Sequence, residues 1–564
     1  MNTIDTTELI RTSQSWDGAE LTCNNLNGFH VDNLSIKCKI MKRIHLLRKL
    51  CLFVVLAFFA TGCQKDNIVS VDRIATSDDV NDDIAGTTFA QTVYVSFSDN
   101  DNAFVTGATD DFSVTINGND VTIIYAGEEH VMYELSGTAT DGFFKLYSGS
   151  KQGITLNGLS LTNPNGAAIN VQGPTSAPNK GKRTFIVLKG TNALADGISY
   201  TDTPSTEDEK AALFSEGQLV FSGTGSLAVA ASGKSGIVSD DYLHFMEGTV
   251  TVHTTTAVTV SSSDTLKPAC LKANDYIKVT GGTLNLNSSG TGAKGISCDG
   301  YGIFRGGVVN VTVTGSNYGS SGSGGFPGGG SNSSNGVSAK GIKFDGNLSV
   351  TGGSLIVKAT AHEGIESKGT ITISGGEVHS YSQSDDAINS AGEFTISGGY
   401  VCGHSAGNDG FDANGNCYIK GGVVYAIGSS SPEVAIDANT EGGYKLYVEG
   451  GTLIAIGGLE SGSSLTQDCY SASSWSQNSW YGLTVGSTVY AFKTPSSGGT
   501  PLVVSCASTP TLSSGVTVSG GTSYFEGLLY QDASVSGGSS VSLSSYTGGN
   551  GGGGGPGGGG FGPF

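Results

Sequence analysis

The sequence is short of charge. Asp, Glu, Lys and Arg make up 14% of its 564 residues, against about 25% in an average soluble protein. The basic sign is the scarcer one, with 29 Lys and Arg against 49 Asp and Glu and a net charge of −20. Nucleic-acid binding needs a basic surface to neutralise phosphates, so that class is excluded. The ten cysteines form no C-x-x-C pair and no zinc-type spacing with histidine, which excludes a structural zinc site. No G-X-Y period exists, so collagen is excluded too. What is abundant is glycine, with 88 residues. Together with the many Ser, Thr and Val, it argues against helices and for short strands. The length exceeds one compact core of about 100–200 residues. The class that remains is a large, acidic, all-β protein.

A targeting signal sits inside the chain rather than at Met1. Met41, Lys42 and Arg43 open a basic segment that continues to Arg48 and Lys49, followed by the apolar run 50–60. That run suits a signal-peptide core and falls short of the roughly 20 residues of a membrane-spanning helix. It ends in Ala60-Thr61-Gly62-Cys63, which resembles the lipobox of bacterial lipoproteins, where the cysteine is lipidated. The expectation is an upstream extension over 1–40, a signal peptide over 41–62, lipidation at Cys63 and a polar tether to residue 87. The competing reading is an internal membrane anchor. Export permits disulfides among Cys270, Cys298, Cys402, Cys417, Cys469 and Cys506, including Cys469–Cys506, but the sequence assigns no pairing.

A repeat runs through the middle. A double glycine between β-branched or aromatic residues recurs as VTGGTL at 279, FRGGVV at 304, VTGGSL at 350, ISGGEV at 373, ISGGYV at 396, IKGGVV at 419 and VEGGTL at 448. The second glycines, Gly282, Gly307, Gly353, Gly376, Gly399, Gly422 and Gly451, are spaced by 25, 46, 23, 23, 23 and 29. The 46 is two units with a low-complexity insertion over 316–337. A second motif precedes each double glycine: AKGIS at 293, AKGIK at 339, HEGIES at 362, DDAINS at 385, NDGFDA at 408 and EVAIDA at 433. Short strands recurring at about 23 residues predict a parallel β-solenoid over 88–545, because no single unit can bury its own apolar face. Ile373, Ile396 and Ile419 become one internal ladder, with the glycines at tight corners. A β-sandwich competes, but its strands do not recur at a fixed spacing. The glycine-rich segment 546–564 is expected to be a disordered tail.

Stacking turns sequence spacing into proximity, since equivalent residues of successive coils lie about 4.8 Å apart. One column reads Glu366, Asn389, Asp412 and Asp437. A second reads Glu363, Asp386 and Asp409, and beside it run Asp385, Asn408 and Glu433. Such crowding must be relieved by protonation or by a cation, and hard oxygen donors with Asn carbonyls favour Ca²⁺. The plain alternative is a solvated acidic face. Lys340 should meet Glu363 as a stacking ion pair. After each double glycine the first and third residues should point outward, presenting Tyr400 and Tyr425 with Tyr381 and His404 on the same side. Rings in such a column offer faces to sugars or simply stabilise the sheet. Trp475 and Trp480 form a second aromatic cluster, either a binding loop or a cap. SGKS at 232 is not a phosphate loop, because Ala228 stands where the first glycine is required.

The run from HEGIES to PEVAIDAN resembles bacterial carbohydrate-binding proteins with a right-handed parallel β-helix related to polysaccharide lyases. That resemblance implies the right hand of the coils, calcium, and affinity for cellulose-like or polygalacturonate chains. It carries the acidic motif onto Glu363, Glu366, Asp385, Asp386, Asn389, Asp409, Asp412 and Asp437. The reading is a monomeric, lipid-anchored, non-catalytic polysaccharide-binding protein at the outer membrane of a Gram-negative bacterium. Gln64 after the lipidated cysteine favours that membrane. Two readings compete: a calcium-dependent pectate-type lyase and an adhesive or structural surface solenoid. A lyase of that type uses arginine or lysine as base, and 88–545 holds only Arg183 and Arg305. Lys340 beside Glu363 would stay protonated, the wrong state for a base.

Overall fold

The computed structural model describes residues 79–548, apart from 202, 205, 262–264 and 320–335. The expected upstream extension over 1–40, the expected signal peptide over 41–62, Cys63 and most of the glycine-rich segment 546–564 lie outside the described residues, as does the middle of the insertion. The fold is all-β. Its described elements are strands and two short 3₁₀ turns, arranged mainly in a 28-stranded and a 13-stranded sheet with long parallel runs.

The 23-residue unit is visible as three strands per coil. Ile365–Ser367, Ile371–Ile373 and Glu377–Ser382 make one unit, and each pairs in parallel with its equivalent in the next, Ile388–Ser390, Phe394–Ile396 and Tyr400–Ser405. Ile373 pairs with Ile396 and Ile396 with Ile419, all at 1% exposure or less. This topology is compatible with a solenoid. Alternation explains the pattern: in Ser354–Ala359, Leu355, Val357 and Ala359 are buried while their neighbours are not, the period of a half-buried strand.

The double glycines make the corners. All seven second glycines have positive φ, 78° at Gly376, for example, a region that residues with a Cβ avoid. Crowding adds to it, because a Cβ on Gly376 would lie 2.7 Å from the carbonyl oxygen of Gly353 one coil earlier. On either side of the insertion, Tyr318 and Val337 pair through two backbone hydrogen bonds of 2.9 and 3.0 Å.

Three boundaries differ from expectation. Parallel pairing does not run to residue 545; it ends where Ser464–Leu465 joins Leu446–Val448. Beyond it the strands are antiparallel, including a six-stranded sheet containing Trp480–Val485, Thr488–Lys493 and Leu529–Gln531. These strands lack the spacing that brings equivalent residues back to one ladder, so neighbours pair as hairpins instead. Residue 546 is part of the fold: Tyr546 is buried and ends the strand Ser544–Tyr546, paired with Cys469–Ala472. The end of the expected tether is docked. Asp82 is buried, ion-paired to Arg183 at 2.8 Å and bonded to the Tyr242 hydroxyl and the His244 ring. All six cysteines in the described residues are free, Cys469 and Cys506 included.

Candidate functional site

Glu366, Asn389, Asp412 and Asp437 stand in one file, because their strands pair in parallel at those positions. Their neighbours Ile365, Ile388, Phe411 and Ile436 enter the core, so alternation sends the file to the other face. The register continues into the preceding turn. There Gly364 N–H donates to the Asp386 carbonyl and Ala387 N–H to the Asp409 carbonyl, aligning Glu363, Asp386 and Asp409 as a second file. Asn408 Nδ2 donates to Asp385 Oδ1 at 3.1 Å, linking a third. The nine acidic and amide residues thus come together at one corner of the stack as a ladder, one rung per coil. They do not form a single cage. Among the described residues, the only sets of three or more His, Cys, Asp or Glu with ligand atoms mutually within 4.8 Å are His362–Glu363–Asp385 and Asp208–Glu216–Asp240.

The ladder has two halves. In the first, protein cations neutralise the acids. Lys340 Nζ lies 3.1 Å from Glu363 Oε2 and 2.5 Å from Glu366 Oε2, and Lys368 pairs with the other oxygen of Glu366. His362 contacts Glu363 and lies 2.7 Å from Asp385. Burial works against the charged form of Glu366, which is 1% exposed, yet Lys340 and Lys368 hold its carboxyl below the ordinary range. Burial works likewise against the His362 cation, and Asp385 and Glu363 hold its pKa up at about 9.

In the second half no such cations stand. Asp386 and Asp409, 5% and 7% exposed, are pushed well above the ordinary carboxyl value by burial and then by neighbouring aspartates. Burial and Asp437 raise Asp412 to about 7. The hydrogen bonds here are amide donations: Asn389 Nδ2 to Asp386 at 3.2 Å and to Asp412 at 2.6 Å, and the backbone N–H of Val434 to Asp409 at 2.6 Å.

The aromatic column corrects one expectation. The residues after the double glycines do point away from the coil core, but around Tyr400 and Tyr425 a second layer covers them. Tyr425 is 0% exposed, packed with Cys402, Phe492 and Val504 in a core shared with the antiparallel C-terminal sheet. Its hydroxyl donates to the Lys493 carbonyl at 2.8 Å. Tyr425 therefore has no face for a sugar. Tyr400 stacks on Tyr524 with ring centroids 3.5 Å apart, and Trp475 packs at the edge of the same core with its indole N–H on the Gly499 carbonyl. Tyr381, His404 and Trp480 stay half-buried. Tyr381 meets His404 edge-on, and Trp480 sits with Tyr530 beside an open cavity of about 440 Å³. The apolar composition of the column is a sign of docking within the chain, which the sequence pattern of a lone solenoid does not separate from ligand binding.

Two further ladder residues come from the structure alone. His362 opens the HEGIES motif, yet nothing in that motif marks it as the counter-ion of Asp385. Glu460 extends the outer file: Ile436 bridges Leu459 in parallel, which sets Glu460 beside Asp437. Burial and then Asp437 raise it to about 7. Its one sequence signal is a spacing of 23 from Asp437 without the surrounding motif. SGKS at 232 does cradle an anion, the carboxylate of Asp196, which accepts from the N–H groups of Ser232, Gly233 and Lys234.

A family profile described as carbohydrate-binding domain-containing protein matches residues 117–410. No curated protein matches the chain. Among solved structures, the chain is similar to the polysaccharide lyase-like protein from C. thermocellum, a gadolinium derivative. The identity is 17% and the TM-score 0.32, over 54% of this chain and 96% of that one, a likeness too low to transfer anything.

Proposed function

The chain belongs to the family of carbohydrate-binding domain-containing proteins, and from that premise we propose a lipid-anchored, non-catalytic polysaccharide-binding protein. In this reading a single right-handed parallel β-helix holds calcium between its coils. The observation that carries it is the uncompensated half of the ladder. Asp386, Asp409, Asp412 and Asp437 stack with no basic side chain paired to any of them among the described residues. Two carboxylates a coil apart repel by roughly 3–4 kcal/mol at an effective dielectric near 20. A hard divalent cation relieves that repulsion, and the all-oxygen donor set, with the Asn389 and Asn408 carbonyls beside it, suits Ca²⁺. Acidic polysaccharide would add its own carboxylates to such a cation, while the half-buried rings of Tyr381, His404 and Trp480 suit sugar C–H faces. The right hand rests on the resemblance of the acidic motif to right-handed parallel β-helix carbohydrate-binding proteins. Lipid anchoring rests on the segment 41–62 and Cys63.

Two features favour binding without cleavage. Lys340 is held protonated by Glu363 and Glu366 against the effect of burial, and Arg183 is engaged with Asp79 and Asp82. Neither is in the state of a base. The test is retention of the full chain on immobilised polygalacturonate and cellulose, with calcium and after chelation, while ultraviolet absorbance of soluble polygalacturonate is followed. Retention that falls on chelation with flat absorbance is expected. Growth of an unsaturated-product signal overturns the non-catalytic reading, retention indifferent to chelation overturns the role of calcium, and no retention overturns polysaccharide binding.

A further inference from the structure

A second acidic cluster stands on earlier coils, away from the ladder. The strands Ala211–Ser215 and Ser235–Ser239 pair in parallel with Ser215 opposite Ser239, so the residues that follow them, Glu216 and Asp240, are neighbours one coil apart. Asp208, from the segment just before the first of these strands, closes over them. One carboxylate oxygen from each of the three lies within 4.8 Å of the others. Two oxygens bound to one Ca²⁺ at about 2.4 Å can be no further apart than this.

Proximity alone would be an ordinary acidic patch. The distinguishing feature is Glu216, which is 8% exposed and whose Oε1 is buried with no hydrogen-bond partner. A buried carboxylate oxygen without a donor costs more than a neutral orphan group does, because the desolvated charge has nothing to replace the water it lost. The cation at hand does not answer it. Lys210 pairs with Asp208 at 3.1 Å and with Asp240, dividing one charge between two carboxylates, and makes no ion pair with Glu216. Three carboxylates and one ammonium sum to a charge of −2, which one divalent ion neutralises.

We propose that Asp208, Glu216 and Asp240 hold a calcium-sized divalent cation, with Glu216 as its buried anchor and Lys210 as the ammonium that competes with it. Burial, then Asp240, raise Glu216 to about 7, although Lys210 works the other way. The donor set is all oxygen, which selects a hard ion. The site is independent of the ladder, so its success or failure is separate from that of the calcium sites proposed there.

The test is calorimetric titration of the full chain with calcium at pH 8. Four forms are compared: wild type, Glu216→Gln, Lys210→Gln and the ladder variant Asp409→Ala/Asp412→Ala. Glu216→Gln should take up one ion fewer than wild type while keeping the ions that the ladder variant loses. Lys210→Gln should bind the same ion about tenfold tighter or more, since a competing cation is gone. Equal uptake by Glu216→Gln and wild type overturns the proposal. If Glu216→Gln does not fold, Lys210→Gln decides: unchanged or weaker affinity at that site overturns it. A ladder variant that binds like wild type, beside a Glu216→Gln that still loses one ion, would sink the ladder and leave this site standing.

Discussion

Glu366 and Asp412 occupy the same file, two coils apart, and their carboxyls move in opposite directions. Burial penalises the charged form of both. Glu366 then meets Lys340 and Lys368, and ionises more readily than an exposed glutamate. Asp412 meets Asp437, Asp385 and Glu363, and rises to about 7. The backbone is the same in both places, so position in the stack sets proximity while the neighbouring side chains set charge state. A parallel ladder therefore carries a message that no single coil contains. One half is neutralised from within the chain, and the other half is left for a proton or a cation.

The strongest way to break this contrast is to remove the internal cation. Lys340→Met takes away the cation that Glu363 and Glu366 share, leaving His362 on the one and Lys368 on the other. The loss should therefore fall near the lower end of the range, about 3–5 kcal/mol, that breaking a buried pair costs. The expected result is a melting temperature well below wild type in calcium-free buffer, with part of the loss restored by added calcium as the first half comes to resemble the second. A variant as stable as wild type would mean that Lys340 does not neutralise this half.

The reverse experiment removes the uncompensated acids. In wild type, calcium at a hundredfold excess over its dissociation constant should stabilise by about 2.7 kcal/mol, seen as a rise in melting temperature of several degrees that a chelator abolishes. Asp409→Ala/Asp412→Ala should lose the ladder's share of that calcium response, keeping only what the separate Asp208–Glu216–Asp240 cluster contributes, while Lys340→Met keeps or enlarges it. A wild type that melts at one temperature with and without chelator would leave the second half to protons alone.

How far these halves can be read from the sequence depends on the distance over which the repeat holds. Between Glu363 and Asp412 the spacing is 23 without interruption, so which residue faces which is legible, down to the Lys340–Glu363 pair. The approach of Lys368 to Glu366 is not, since neither strand alternation nor coil spacing places it. After Ile427 the repeat stretches, and Glu460 is lost with it. The sheet that buries Tyr425 is illegible for a different reason. It comes from hairpins over 480–541, whose contact with the coils is set by no period, and an outward tyrosine has the same alternation under a cover as in water.

Titration should separate the halves by sign. In the second half the folded pKa values are raised above the ordinary 3.8 of aspartate, to about 7 at Asp412. Their contribution to stability is full below about pH 4 and is lost as pH rises through their folded values, about 7 for Asp412. Glu366 and Asp385 are lowered, so theirs is full above about pH 4.5 and is lost as pH falls through their folded values. Calcium-free protein should therefore be most stable in between and lose about 1–2 kcal/mol from pH 6 to 8. Calcium, or the pair Asp409→Ala/Asp412→Ala, should flatten that alkaline limb. A calcium-free melting temperature that climbs steadily from pH 5 to 8 would contradict the assignment.

The smallest effect is expected at the end of the file. Asp437 and Glu460 lie side by side and both carboxyls are raised, so a proton on one offsets the charge of the other until it is given up as pH rises. In Glu460→Gln an amide N–H replaces that proton permanently, as Asn389 already does between Asp386 and Asp412. At pH 8 without calcium the variant should be more stable than wild type by about 1 kcal/mol, the net worth of one hydrogen bond. At pH 5, where the proton is present anyway, the two should melt together. A gain of the same size at both pH values would mean that packing, and not the loss of a negative charge, is what the substitution changed; a loss at pH 8 would show that the ladder ends at Asp437.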